Sequence, residues 1–283
     1  MGTRRPINFY DCQWATEYIR TSIIFEISLY AKCVRENFLP TFKSLPEQAD
    51  KLAEEIFWES QRPSLFEDYE GVDFSDLAGD ANDRSLKFYI GMKDVYQGFT
   101  NLFAAGFYHA FEQHFKSFYV YPWLIHIVRP AWLTQENMMT IEPYDIKPVT
   151  KSLKENGIEV EKFSSWETIN TELWALTNTV KHGEGNASEK LKEVNPNLLV
   201  PPSTHSSADV SFFARQTRVR CPIVGENLFV QIDDFDKYVE AVQSFWGELS
   251  DALLTLGNKI PVEPPPPTCK SSSKDLEDKK NHA

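Results

Sequence analysis

One tract constrains the fold of this chain more than any other. From Arg84 to Tyr121, aromatic and aliphatic residues occur nearly all round a helical projection: Phe88, Val95, Phe99, Leu102, Phe103, Phe107, Phe111, Phe115 and Phe118. A helix dressed in this way is stable only when other elements bury most of its sides, so it is expected to be the central helix of a bundle. Gly91, Gly98 and Gly106 interrupt it, each at a cost of about 1 kcal/mol in helix propensity against alanine. The compensation expected is a close approach by another helix. One polar stripe survives: His109, Glu112 and Lys116 lie within about 60° of one another, roughly opposite Phe107, Phe111 and Phe118. Glu112 and Lys116 also stand at ion-pair spacing.

The flanking tracts supply partners for that helix. Cys12 to Phe38 reads as a long helix with Ile19, Ile23, Ile27, Tyr30 and Val34 inward, ended by Pro40. A second runs from Pro46 to Gln61. Residues 63–83 are acidic and turn-rich and read as a loop whose aspartates do not fit a calcium-loop spacing. Trp123 to Val128 is a short helix or strand, and Val149 to Asn156 is a short helix capped at Gly157. Another short helix spans Ser188 to Val194, and Asp233 or Asp234 caps a last one reaching Leu256. Between these two, Thr217–Arg220 and Leu228–Ile232 alternate in polarity around Gly225 and predict a β-hairpin.

The fold class expected is therefore mainly α, a helical bundle with a small β-hairpin insertion before the last helix. Residues 1–260 form a single helical domain, with 195–232 as a loop and hairpin excursion. Residues 261–283, rich in proline and charge, are expected to be a disordered tail.

Composition narrows the function. At 283 residues with 42% hydrophobic and 13% aromatic content, the chain can bury a sizeable core. Its net charge of −12 argues against a general nucleic-acid coat, so any contact with RNA must be local. Four scattered cysteines without metal-ligand spacing, and no apolar run of membrane-spanning length, predict a cytoplasmic protein with no membrane contact. Gly-rich phosphate loops, nucleophile elbows and paired zinc motifs are absent from the sequence.

The polar chemistry gathers in Ser164–Gly185, SSWETINTELWALTNTVKHGEG. Ser164 and Glu167 form a capping-box pattern. Trp166, Ile169, Leu173, Leu176 and Val180 make one apolar stripe, and Gly183 and Gly185 follow as stop signals. Asn178 and His182, at i,i+4, share the opposite face, with Lys181 on a flank. Lys181 and His182 can be read simply as complements to the helix dipole. Alternatively, the three make a site, with His109 and Glu112 as candidates to face it across a cleft. Those two and His182 could together ligate a metal, but their spacing requires none, and no metal or cofactor is expected. Arg215, Arg218 and Arg220 form the one concentrated basic spot, read either as a solvated strand face or as a phosphate-contacting patch.

The Asn178-x-x-x-His182 pattern, near the end of an amphipathic helix in a helical chain, resembles the HEPN superfamily of prokaryotic RNA-targeting domains. It is also similar to uncharacterised bacterial proteins with an Asn-Thr-Val-Lys-His-Gly segment. In the family's motif an Arg precedes the polar residue; here Thr177 stands in that position. The resemblance implies one of two functions. One is a degenerate or atypical HEPN-like domain that binds RNA, a nucleotide or a protein partner such as an antitoxin. The other is an active, metal-independent endoribonuclease in which His182 moves the proton of a ribose hydroxyl or leaving oxygen. It further implies a homodimer and a role in bacterial defence or toxin–antitoxin systems.

Overall fold

The computed structural model describes residues 7–60, 74–120, 146–205, 209–220, 222, 225 and 227–261, and among these it is mainly helical with no strand. In chain order the helices are α1 (Phe9–Tyr18), α2 (Ile24–Cys33), α3 (Leu45–Ser60), α4 (Phe74–Val120) and α5 (Lys147–Glu155). They continue with α6 (Trp174–His182), α7 (Asn186–Val194), α8 (Val210–Gln216) and α9 (Ile232–Asn258). A π-helical turn, Ile19–Ile23, joins α1 to α2, a second, Val34–Phe38, follows α2, and a third, Thr168–Leu173, leads into α6.

α1 starts earlier than predicted because Asn8 and Asp11 cap it reciprocally: Asn8 Oδ1 accepts from the Asp11 amide at 2.8 Å and Asp11 Oδ2 from the Asn8 amide at 3.0 Å. Ile19, Ile23, Ile27 and Val34 are buried as their spacing requires. The α- and π-helical run ends at Phe38 as expected, and Pro40 sits near the start of the separate 3-10 turn that follows, Leu39–Phe42. α9 opens with Gln231 as its flanking residue; Asp234 reaches back to the Gln231 amide at 2.9 Å.

α4 is the spine. Phe107, Phe111 and Phe115 are fully buried, and meet α9 through edge-on contacts of Phe107 with Phe235 at 5.0 Å and Phe111 with Phe245 at 4.9 Å. Each such ring contributes about 1.5–3 kcal/mol through burial. The expectation of burial all round holds only for this half. Leu86, Ile90, Val95, Phe99 and Leu102 are exposed, and the earlier half of α4 packs along α3. α4 also begins at Phe74, so the later part of the acidic tract is helical rather than looped, with an Asp80–Arg84 pair at 3.0 Å across one turn.

The glycine prediction holds at one position and fails at another. A Cβ at Gly106 would come within 2.5 Å of the Tyr30 hydroxyl oxygen, whereas at Gly91 it would meet nothing within 4 Å. What approaches Gly106 is the Tyr30 side chain of α2, whose hydroxyl donates to the Phe103 carbonyl at 3.1 Å.

The predicted β-hairpin is not formed. Val219, Leu228 and Val230 are buried and Arg218 and Arg220 exposed, so the alternation is real, but it does not produce strand pairing. The backbone groups find other partners. Asn101 of α4, wholly buried, donates from Nδ2 to the carbonyls of Pro222 (2.9 Å) and Leu228 (2.8 Å) and accepts from the Val230 amide (3.1 Å). Gln97 donates to the Val230 carbonyl at 2.9 Å, and the Phe229 amide donates to the Leu198 carbonyl at 2.7 Å. A helix side chain thus supplies the hydrogen bonds a partner strand would have given. The Trp123–Val128 element and the 262–283 part of the predicted tail lie outside the described residues.

Candidate functional site

The helix that carries the polar motif is set by its apolar stripe. Ile169, Leu173, Leu176 and Val180 are buried, and Trp166 is half-buried beside Phe245 at 5.9 Å. The capping box is not made. Ser164 gives its amide (3.1 Å) and hydroxyl (2.7 Å) to Glu248 of α9, while Glu167 is exposed. The long-range carboxylate replaces the local one as acceptor, tying the start of this segment to α9.

Thr177, in the position where the HEPN motif has its Arg, is buried, and its hydroxyl donates to the Ala105 carbonyl of α4 at 3.3 Å. That position faces the core. Asn178 is half-buried and donates its amide to the Trp174 carbonyl at 2.9 Å, one turn back. Lys181 and His182 are exposed at the helix end.

Gly183 organises what lies beyond. Its φ is +69°, and a Cβ would come within 2.9 Å of the Val219 carbonyl oxygen and 3.4 Å of that of Arg220. Only glycine satisfies both conditions without strain. Its amide closes the helix on the Thr179 carbonyl at 2.8 Å. The next residue, Glu184, accepts from the Val219 amide at 2.8 Å and from Lys192 at 3.3 Å. Burial opposes the charge on Lys192, but its hydrogen bonds to Glu189 and Glu184 outweigh that and hold its pKa above the ordinary lysine range. The segment Arg218–Arg220 is thereby pinned across the end of α6. Val219 is buried between the exposed Arg218 and Arg220, and its backbone meets Gly183, the residue after the exposed Lys181 and His182. Arg215 is exposed on α8, next to the exposed rings of Phe212 (51%) and Phe213 (49%). None of the three arginines makes an ion pair with a described residue.

The α4 candidates go elsewhere. His109 is exposed. Glu112 pairs with Lys116 at 3.3 Å, both about four-fifths buried (22% and 19% exposed). Glu112 lines a groove of about 750 Å³ with Tyr108, Trp166, Asn170 and Trp174. With Thr177 on Ala105 and Trp174 beside Glu112, α6 runs antiparallel to α4. Glu112 and His182 therefore lie on opposite sides of that contact, about 18 Å apart along the axis at 1.5 Å per residue. The expected pairing of Glu112 with Asn178 and His182 across one cleft is not made.

Two contributors carried no sequence signal. Glu184 and Val219 are 35 residues apart, and no periodicity links them. Phe212 and Phe213 stand out only as an apolar pair in a polar, Pro-rich stretch. Among the described residues no group of three or more His, Cys, Asp or Glu could hold a metal ion, and no helix is long and apolar enough to cross a membrane. In comparisons with family models, curated proteins and solved structures, nothing matches the chain.

Proposed function

We propose that this chain is a degenerate HEPN-like module that binds single-stranded RNA at the end of α6 without cleaving it. The observation that carries the reading is the backbone contact of Val219 and Arg220 with Gly183, which brings a segment bearing two exposed arginines to the helix end that bears Lys181 and His182, in a protein of net charge −12. Phosphates would contact Lys181, Arg218 and Arg220, and bases would stack on Phe212 and Phe213, the combination that suits single strands. Asn178 is engaged with its own helix, and the motif's Arg position is spent on packing as Thr177. Both favour binding over catalysis. The family resemblance would set such a module in bacterial defence or a toxin–antitoxin pair, as a homodimer or with an antitoxin.

Fluorescence anisotropy with a labelled twelve-nucleotide RNA tests this. An Arg218→Ala/Arg220→Ala variant should bind at least about tenfold more weakly, with its log–log salt slope reduced by about 1.4 for two lost phosphate contacts. Unchanged affinity and slope would remove the reading. An active ribonuclease would likewise need a guanidinium near His182 to stabilise charge on phosphate. RNA incubated with wild type but not His182→Ala and found cleaved would establish that alternative instead.

A further inference from the structure

A second concavity lies where the α3–α4 pair leaves the core, and none of the α6 site residues lines it. Its volume is about 550 Å³, inside the range of small-molecule sites. Leu39, Leu45 and Ile232 give it an apolar floor. Phe42, Tyr89 and Tyr96 add aromatic walls, with Phe42 and Tyr96 holding one another at 5.2 Å between centroids.

The charges around it are of one sign. Arg35, Lys43 and Lys93 come from three different elements, and among the described residues no carboxylate lines the pocket, although the chain carries 41 Asp and Glu against 29 Lys and Arg. Arg35 is already matched: its guanidinium bonds Asp236 through Nε and Nη2 and lies over the Phe235 ring. Lys43 and Lys93 are exposed, and neither makes an ion pair with a described residue. Lys93 instead rests over the Tyr89 ring at 5.6 Å, a cation–π contact that an anion can share. An apolar body with a negative group is the ligand that satisfies both features: the rings cover its faces, and the two unmatched ammonium groups meet its charge.

We propose that this pocket binds a small aromatic anion, its ring system against Phe42, Tyr89 and Tyr96 and its acidic group at Lys43 and Lys93. The site is independent of the RNA-binding reading.

The test uses the full chain and two fluorescent probes. 8-Anilinonaphthalene-1-sulfonate carries the charge, and N-phenyl-1-naphthylamine keeps the rings without it. A Lys43→Gln/Lys93→Gln variant should weaken the sulfonate about tenfold or more while the neutral probe changes less than about twofold. Leu39→Trp, which fills the floor, should abolish both. Because both lysines are exposed, the double variant should keep the wild-type thermal unfolding midpoint, so its result stands even if Leu39→Trp fails to fold. Sulfonate binding that ignores the double variant, or that falls in step with the neutral probe, overturns the proposal.

Discussion

Asn101→Ala isolates the reason the predicted hairpin does not form. The substitution leaves the carbonyls of Pro222 and Leu228 and the amide of Val230 without their partner, in a place where Asn101 itself is wholly buried. At about 1–1.5 kcal/mol net for each hydrogen bond, the three together are worth about 3–4.5 kcal/mol. Alanine recovers about 0.5 kcal/mol of helix propensity over asparagine at a mid-helix position. The expected net loss is about 3 kcal/mol, a substantial fraction of the 5–15 kcal/mol typical of a folded domain. Native-state hydrogen exchange measures it where it occurs: the Val230 amide should lose protection by roughly two orders of magnitude at 1.4 kcal/mol per decade. Urea unfolding supplies the global figure. Asn101→Asp should be worse still, because it keeps an acceptor for Val230, loses both donors and buries a charge. If Asn101→Ala costs less than about 1 kcal/mol and Val230 stays protected, the segment is held by its apolar side chains and the account given for the missing strands is wrong.

Gly183→Ala places a Cβ against the Val219 carbonyl at φ +69°, and should cost about 1–2 kcal/mol; because it displaces the arginine segment, RNA affinity should fall with it in the anisotropy assay. Thr177→Arg, which writes the family's Arg into the chain, should lower the thermal midpoint by several degrees and confer no RNA cleavage, since that position packs on Ala105; a folded, cleaving variant would refute this placement. Burial pushes the His114 imidazole below its ordinary pKa, with Glu26 at 3.3 Å pulling the other way. The folded state therefore binds fewer protons at this site than the unfolded chain, so the stability it contributes is complete above about pH 6.5 and is lost as pH falls through the folded pKa. His114→Phe should flatten urea-unfolding stability across that acidic window, and an unchanged pH dependence would exclude His114 as its source.

Helical phase was legible in the sequence because each buried stripe repeats within one element. Ile19, Ile23, Ile27 and Val34 face inward as their spacing dictates, and so do Ile169, Leu173, Leu176 and Val180. Pairing was not legible. Alternation across Thr217–Arg220 and Leu228–Ile232 records which side chains are buried, and says nothing about what satisfies the backbone; an asparagine more than 120 residues away in sequence from Leu228 does so. Ser164 failed as a cap for a similar reason, since Glu248 outcompetes a locally well-placed Glu167. Of the candidate site, Lys181, His182, Arg218 and Arg220 were visible as residue types, but the backbone contact at Gly183 that brings their two segments together is one that spacing cannot encode. Glu112 was misdirected because its helical face was readable while the direction in which α6 crosses α4 was not.

The π-helical turn Thr168–Leu173 works as a phase joint within one helix. Upstream of it, Trp166 is keyed to Phe245 of α9; downstream, Thr177 is keyed to Ala105 of α4. An α-helix of the same length would set those two contacts at a different relative angle, because the wide turn holds one more residue than an α-turn. Tightening that turn to α geometry with every residue kept would rotate everything after it by about 100°, swinging Thr177 out of its seat and turning His182 to a new bearing, whereas deleting one residue from it would give a regular helix with the bearing kept. The compass direction of the candidate site is thus written in the width of a turn, and converting that turn from π to α would alter it without touching any of the site's own side chains.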